Sequence, residues 1–203
     1  MEEKWLSWAR QLQAMAQNGL AYSHNVFDIE RYERLRDLSV EILNEYTEAG
    51  EEKIRDLFCN EVGYQTPKVD VRGAVIQDQK ILLVKERIEG KWSLPGGWAD
   101  VGISVKENVE KEMREESGLI TKATRLVAIF DWLKSRQSAP FSLYKVVMLC
   151  EPEGGHFEAN SETEDSGFFA LDDLPPITHK ISSNLLQMCL EASQNDCWKP
   201  YVE

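Results

Sequence analysis

The sequence is poor in the residues that build cysteine and histidine sites. Its 203 residues include 4 cysteines and 3 histidines. No two cysteines form a Cys-x-x-Cys pair, and no histidine stands at metal-ligand spacing from a cysteine, so neither a zinc site nor a disulfide framework is expected. Basic residues are also few: 23 Lys and Arg face 35 Asp and Glu, for a net charge of −12. This charge disfavours long nucleic acids and anionic membrane surfaces as partners.

Long apolar runs are missing as well. The first residues, Met1-Glu2-Glu3-Lys4, are charged, and no apolar run approaches the length of a signal peptide or a membrane span. We therefore expect no membrane association and a reducing, cytoplasmic location. A small phosphorylated substrate is still compatible with the acidic chain, because bound metal ions can reverse the local field.

The residues that are present change their pattern near Thr66-Pro67. Before this point apolar residues recur at helical spacing, which predicts a helix from Trp5 to near Gly19, a second after Asp28 as N-cap, and a third that ends before Gly63. After it, β-branched runs and amphipathic stretches alternate. Strands are predicted at 69–76, 81–84, 126–130, 143–149 and 167–171, with a hairpin turn at 77–80, and helices at 105–117 and around 181–191. The chain thus predicts a helical arm (1–66) and an α+β unit (67–203).

The stretch from Leu94 to Leu119 carries the chemistry. Pro95-Gly96-Gly97 predicts a tight turn that a ligand can approach closely. Ser104-Val105-Lys106-Glu107 is a capping box that begins a helix, and Gly118 is placed to end that helix in the left-handed conformation. A glycine turn, a capped helix and a stop therefore follow one another.

Three acidic residues of this helix, Glu112, Glu115 and Glu116, are related by i, i+3 and i+4 and share one strip of its surface. Their mutual repulsion costs a few tenths of a kcal/mol per pair. A hard cation that prefers oxygen ligands, Mg²⁺ or Mn²⁺, would relieve it. Taken alone, the same three residues favour a solvated acidic face over a metal site.

Together these features resemble the Nudix box, G-x5-E-x7-R-E-U-x-E-E-x-G-U, in which U is aliphatic. Its glycines match Gly97 and Gly118, its acids match the three glutamates, and its aliphatic positions match Met113 and Leu119. Two positions differ, because Ile103 replaces the early glutamate and Lys111 replaces the arginine. The opening Val71–Ile76 and the closing Phe168–Pro175 also resemble Nudix domains. The resemblance implies an α/β/α sandwich with a mixed sheet, preceded by a small helical domain.

The resemblance also implies a function: Mg²⁺- or Mn²⁺-dependent hydrolysis of the diphosphate bond of a nucleoside diphosphate-X compound. The helical arm and Trp98-Ala99-Asp100 resemble the subgroup that includes ADP-ribose and CDP-choline pyrophosphatases. The metal ligands implied are the Gly97 carbonyl, Glu112, Glu115 and Glu116. For the catalytic acids we select Glu116 and, in the acidic loop before the last strand, Glu162 with Glu164 as the alternative. Substrate contacts are expected from Arg72, Arg87, Trp98 and Asp100, although surface salt bridges account for the two arginines equally well.

Two other functions stay open. Ile103 and Lys111 are compatible with a nucleotide-sensing module that does not turn over its ligand, and a nucleoside triphosphate pyrophosphohydrolase would share the same box. The net charge of −12 argues against an enzyme that acts on RNA ends. The arm's amphipathic helices expose more apolar surface than three short helices can bury among themselves, which predicts a homodimer.

Overall fold

The computed structural model describes residues 4–48, 50–59, 61–132 and 142–203. These residues form two compact units. The first runs to Lys68 and includes Asp131, Trp132, Ser142 and Leu143, and the second contains Val69–Phe130 and Tyr144–Glu203. The predicted boundary after residue 66 stays a prediction. None of the described helices has a stretch that is long and apolar enough to cross a membrane.

The first unit is helical. It contains α1 (Lys4–Tyr22), α2 (Val26–Tyr46) and α3 (Glu51–Phe58). Its core consists of Leu6, Ala9, Val40, Leu43 and Ile54. The predicted N-cap of α2 is wrong: the Asn25 side chain accepts a hydrogen bond from the Phe27 N–H, so α2 begins before Asp28, which lies in its first turn.

The second unit combines strands with two helices. Its elements are β1 (Lys68–Ala74), β2 (Ile76–Gln77), β3 (Lys80–Glu86), β4 (Trp92–Ser93), α4 (Val105–Ser117), β5 (Leu119–Asp131), β6 (Leu143–Gly155), β7 (Thr163–Phe169), α5 (Ser183–Gln194) and β8 (Tyr201–Val202). The strands form two groups, in the orders β1-β6-β5-β8 and β2-β3-β4, and β7 also pairs with β3. Because β5 and β8 are parallel whereas β3 pairs antiparallel with its neighbours, the strand arrangement is mixed.

The predicted hairpin is confirmed and its turn has two residues. Ile76 pairs with Ile81 and Gln77 with Lys80, so only Asp78 and Gln79 remain between the strands. Both have positive φ, 50° and 63°, as the tight hairpin turns that match the strand twist require.

The strands separate two apolar cores. One core joins Val71, Val75 and Leu82 of the strands to Val109 and Met113 of α4. The other joins strand residues such as Ile81 and Leu83 to Leu185, Leu186 and Cys189 of α5. Since successive strand residues point to opposite faces, Ile81 and Leu83 face α5 and Leu82 faces α4. The unit is therefore a helix–sheet–helix sandwich, and the α+β prediction is confirmed.

Candidate active site

The glycine turn is held against β1. Three backbone hydrogen bonds join them: Gly73 N to Pro95 O at 2.9 Å, Val71 N to Gly97 O at 2.8 Å, and Ala99 N to Val69 O at 2.9 Å. Only glycine fits at Gly96, where φ is +142° and a Cβ would lie 2.0 Å from the Val71 carbonyl oxygen. The turn therefore has one fixed position relative to the sheet.

Helix α4 has the bounds and the caps that the sequence predicts. The Ser104 hydroxyl accepts from the Glu107 N–H, and the Glu107 carboxylate accepts from the Ser104 N–H at 2.7 Å. Gly118 is left-handed, with φ of 71°. Both ends of the helix that carries the acidic residues are thus fixed.

Two of the three predicted acids, Glu112 and Glu116, are buried, each with 8% of its surface exposed. The Gly96 N–H donates to Glu116 Oε2 at 2.9 Å. Glu112 Oε2 lies 3.2 Å from where a Cβ on Gly97 would stand. Burial raises the pKa of Glu116 to about 7; Glu112 and Glu162 act in the same direction, and the Gly96 N–H and Arg72 oppose it. The pKa of Glu112 is also raised, chiefly by burial.

The third acid, Glu115, has half of its side chain exposed and is bound by Lys111 at 2.9 Å. The convergence of all three carboxylates on one metal ion stays a prediction, with Glu112 and Glu116 buried and Glu115 at their exposed edge. Across the described ranges, no three His, Cys, Asp or Glu residues are arranged as a ready-made metal site.

Lys111 links the helix to the loop before it. Its ammonium lies 3.1 Å from Asp100 Oδ2 and 3.5 Å from Glu112 Oε1, in addition to its contact with Glu115. Hydrogen bonds to Glu115 and Asp100 raise the pKa of Lys111, so this side chain stays charged at neutral pH. A lysine at this position thus touches three carboxylates at once, each through a single contact.

Arg72 is not placed as predicted. It is 4% exposed, and its guanidinium makes a bidentate contact with Asp70, at 2.9 and 2.7 Å. Its third nitrogen donates to the Leu94 carbonyl at 2.9 Å. Lys145, also buried, contacts Asp70 at 2.7 Å. Because the guanidinium is buried and already binds Asp70 and the Leu94 carbonyl, this geometry argues against Arg72 as a ligand of substrate phosphate.

The acidic loop is fastened to the last turn of α4. The Asn160 amide donates to the Glu115 carbonyl at 2.9 Å, and the Thr163 hydroxyl donates to the Glu116 carbonyl at 2.8 Å. These bonds satisfy carbonyls that have no partner within the helix. The acidic loop is therefore fixed relative to the two buried glutamates, a connection that the sequence did not reveal.

The loop presents Glu162 and Glu164 differently. Glu162 lies close enough to Glu116 to raise the pKa of Glu116. Glu164 instead forms an ion pair with Lys85 at 2.6 Å, and this hydrogen bond lowers the pKa of Glu164. Of the two loop acids, Glu162 is therefore the one whose charge acts on Glu116.

The remaining predicted substrate contacts lie at the rim. Arg87 is exposed and is joined to the acidic loop, because its backbone N–H donates to the Glu162 carbonyl at 2.9 Å and its side chain donates to the Asn160 carbonyl. Trp98 is 51% exposed. Asp100 has more than half of its side chain exposed while it binds Lys111.

Two known protein domains match the chain. Residues 67–189 match the NUDIX domain, and residues 3–58 match a domain described as UDP-X-like, N-terminal oligomerisation domain. The chain belongs to the Nudix hydrolase family. The NUDIX match covers the capped helix, the glycine turn and the acidic loop, so the resemblance and the enzyme class predicted from the sequence are confirmed.

Several relatives of this Nudix hydrolase have names that refer to nucleoside diphosphate derivatives. A Bacillus subtilis protein named "Putative ADP-ribose pyrophosphatase YjhB" is 46% identical over 89% of this chain and 87% of its own length. The crystal structure of a Streptococcus suis ADP-ribose pyrophosphatase is 50% identical, with a TM-score of 0.63, and covers 68% of this chain and 100% of its own. A UDP-X diphosphatase structure is 33% identical, with a TM-score of 0.65, and covers 98% of each chain.

Proposed function

We propose that this Nudix hydrolase cleaves the diphosphate bond of a nucleoside diphosphate-X compound with the aid of Mg²⁺ or Mn²⁺, and that ADP-ribose is the first candidate substrate. The observation that carries the proposal is the pair of buried carboxylates, Glu112 and Glu116, on a capped helix against the glycine turn. The names of the relatives support ADP-ribose or a UDP-linked compound, and CDP-choline is a further candidate.

The donor atoms fit a hard divalent cation. Glu112 and Glu116 are one helical turn apart and supply only oxygen, and the Gly96 N–H engages Glu116 Oε2 while leaving its other carboxylate oxygen available. Glu115, half exposed and 2.9 Å from the Lys111 ammonium, would complete the set directly or through a water molecule. The Gly97 carbonyl already accepts from the Val71 N–H, so it would offer its second lone pair. Bound there, the cation would neutralise charge on the bridging phosphates and lower the pKa of a water molecule.

The protein's own groups divide the remaining tasks. Glu162 takes a proton from the water that attacks one phosphorus, and the bond between that phosphorus and the bridging oxygen breaks, which gives a nucleoside monophosphate and phosphorylated X. Arg87 is exposed beside Glu162, and its guanidinium can bind a substrate phosphate. The exposed face of Trp98 can stack on a base, and Asp100 holds Lys111 near the carboxylates.

The test is turnover of a substrate panel with Mg²⁺ or Mn²⁺: ADP-ribose, CDP-choline, UDP-sugars, dinucleoside polyphosphates and nucleoside triphosphates. Glu116→Gln should lower kcat at least about 100-fold, since a lost cation contact removes several kcal/mol from the barrier reduction. The matched control is Glu110→Gln on the same helix, where the side chain accepts from the Ala123 N–H and a glutamine can do the same.

Each alternative gives a different result. Nucleotide binding without turnover of any compound would replace the hydrolase by a sensing module. Release of inorganic pyrophosphate from triphosphates, with no cleavage of diphosphate compounds, would favour a triphosphate pyrophosphohydrolase. Equal losses in Glu110→Gln and Glu116→Gln would show that the effect is not specific to the buried pair.

We also propose that residues 1–66 form a dimerisation arm. Three large side chains of α1, Trp8, Met15 and Tyr22, are more than half exposed and repeat every seven residues, which places them on one helix face. The match of this segment to an oligomerisation domain supports the proposal. The double variant Trp8→Glu/Met15→Glu should be monomeric by light scattering at micromolar concentration, whereas Lys53→Glu on the exposed surface of α3 should not change the oligomeric state. A wild-type monomer would contradict the proposal.

A further inference from the structure

A buried amide closes the loop between the glycine turn and α4. Asn108, in the first turns of α4, is 1% exposed. Its side-chain oxygen accepts from the Asp100 N–H at 2.7 Å. Its amide nitrogen lies within donor distance of the carbonyl oxygens of Asp100 at 3.2 Å, Ser104 at 3.2 Å and Ile103 at 3.4 Å. Asparagine is a poor residue for a helix interior, so the stability gained here is tertiary rather than helical.

The loop it closes has no regular structure of its own. Residues 99–104 lie outside the helices and strands, with a turn and a bend at 101–103, and Gly102 within them is left-handed. Asn108 binds both the N–H and the carbonyl of Asp100. A short irregular segment held through both backbone groups of one residue has its position set by that contact, because a buried polar group left without its partner costs about 1–3 kcal/mol.

Asp100 connects the loop to the carboxylates through Lys111. Its side chain contacts the ammonium of Lys111, and the same ammonium contacts Glu115 and Glu112. Asn108 and Lys111 are three residues apart on α4, so they share one side of the helix. Within the described residues, Asn108 makes no hydrogen bond to Glu112 or Glu115. Its influence on these two carboxylates passes through Asp100.

We propose that Asn108 is a positioning residue of the active site: it fixes the backbone of Asp100, so that Lys111 is drawn to one place among Glu112 and Glu115. The expected effect of Asn108 on turnover rests on the proposed hydrolase function. Its effect on the position of the Asp100 backbone can be measured without turnover. Ile103, 40% exposed and apolar, offers the loop no charged anchor of its own. Among the contacts that join this loop to α4, the Asn108 amide is the one that holds both backbone groups of Asp100.

A double-mutant cycle with Asn108→Ala and Lys111→Met tests the proposal in the full-length protein. Each single variant should lower kcat/KM about tenfold, and the double variant should be about as impaired as the worse single one, because both changes break the same connection. Mn²⁺ affinity, measured by electron paramagnetic resonance, should show the same non-additivity. Amide exchange at Asp100 should be at least about tenfold faster in Asn108→Ala than in wild type.

The control is Ile181→Val, which removes one methylene group from the core on the α5 face and loses stability without touching the loop. It should leave kcat/KM and exchange at Asp100 unchanged. Additive effects of the two substitutions, or unchanged exchange at Asp100 in Asn108→Ala, would overturn the positioning role. If the wild type hydrolyses nothing in the panel, the proposed function fails, and Mn²⁺ affinity and amide exchange still decide the role of Asn108.

Discussion

Substitution of Gly96 by alanine should disrupt both the fold and the site. A Cβ at this position would stand 2.0 Å from the Val71 carbonyl oxygen and 2.9 Å from Arg72 Cα. Both are backbone atoms, so no side-chain rotation relieves the clash. The glycine turn would have to leave β1, and the Gly96 N–H would then lose its contact with Glu116.

Three costs combine in this variant. The left-handed backbone is strained for alanine by about 1–3 kcal/mol. Forcing a methyl group into packed backbone costs about 1–3 kcal/mol or more. A lost hydrogen bond to a buried carboxylate costs about 1.5–3 kcal/mol. Together they amount to roughly 3.5–9 kcal/mol, a large part of the 5–15 kcal/mol by which native domains are typically stable.

Urea unfolding, followed by fluorescence of wild type and variants, measures this loss. Gly102→Ala is the matched control, because Gly102 also has positive φ but has no atom within 4 Å of its added Cβ. It should lose only the backbone strain in the same urea unfolding experiment. If Gly96→Ala were as stable and as active as Gly102→Ala, the close approach of the turn to β1 would not hold the site together.

Four further substitutions test neighbouring contacts. Asp70→Asn should destabilise by about 3–5 kcal/mol in urea unfolding, since it leaves Arg72 and Lys145 buried without their counter-ion; a loss below about 1 kcal/mol would contradict the buried network. Thr163→Val should lose about 1 kcal/mol and lower kcat, because its hydroxyl ties the acidic loop to the Glu116 carbonyl. Glu162→Gln should lower kcat by about 100-fold or more and Glu164→Gln by much less, and the reverse order would move the general base to Glu164.

Local chemistry made α4 predictable from the sequence. A capping box, an apolar stripe and a terminal glycine all lie within 15 residues, and the observed bounds of 105–117 match the prediction. The start of α2 was predicted wrongly because Asn25 and Asp28 are both good N-caps. The sequence alone does not say which of the two side chains reaches a free N–H.

Burial of charges was not predictable in the same way. Arg72 reads as an exposed cation on a strand, and its partner Asp70 lies two residues earlier on the same strand face. In the sequence of β6, Lys145 is followed by a run of apolar residues, which gives no sign of its buried ion pair. Only the order of the strands, with β1 beside β6, brings these three residues together, and strand order is not written in local spacing.

At the site, too, local spacing was predictable from the sequence and tertiary contacts were not. The i, i+3, i+4 spacing of the glutamates placed Glu112 and Glu116 together, but the exposure of Glu115 follows from Lys111 and from the loop that Asp100 occupies. Asn108 escaped prediction because a single polar residue in a helix gives no signal until its partners are known. The attachment of the acidic loop to α4 through Asn160 and Thr163 likewise depends on tertiary contacts.

The assignment of this site depends most on whether a divalent cation binds beside the glycine turn. Titration of the protein with Mn²⁺, followed by electron paramagnetic resonance of the free ion, measures this without any substrate. The wild type and Glu110→Gln should bind Mn²⁺ equally, and the variants Glu112→Gln and Glu116→Gln should each bind at least about tenfold more weakly, since each removes a charged oxygen ligand. Equal binding by all four proteins would place the cation elsewhere and contradict the assignment of this site.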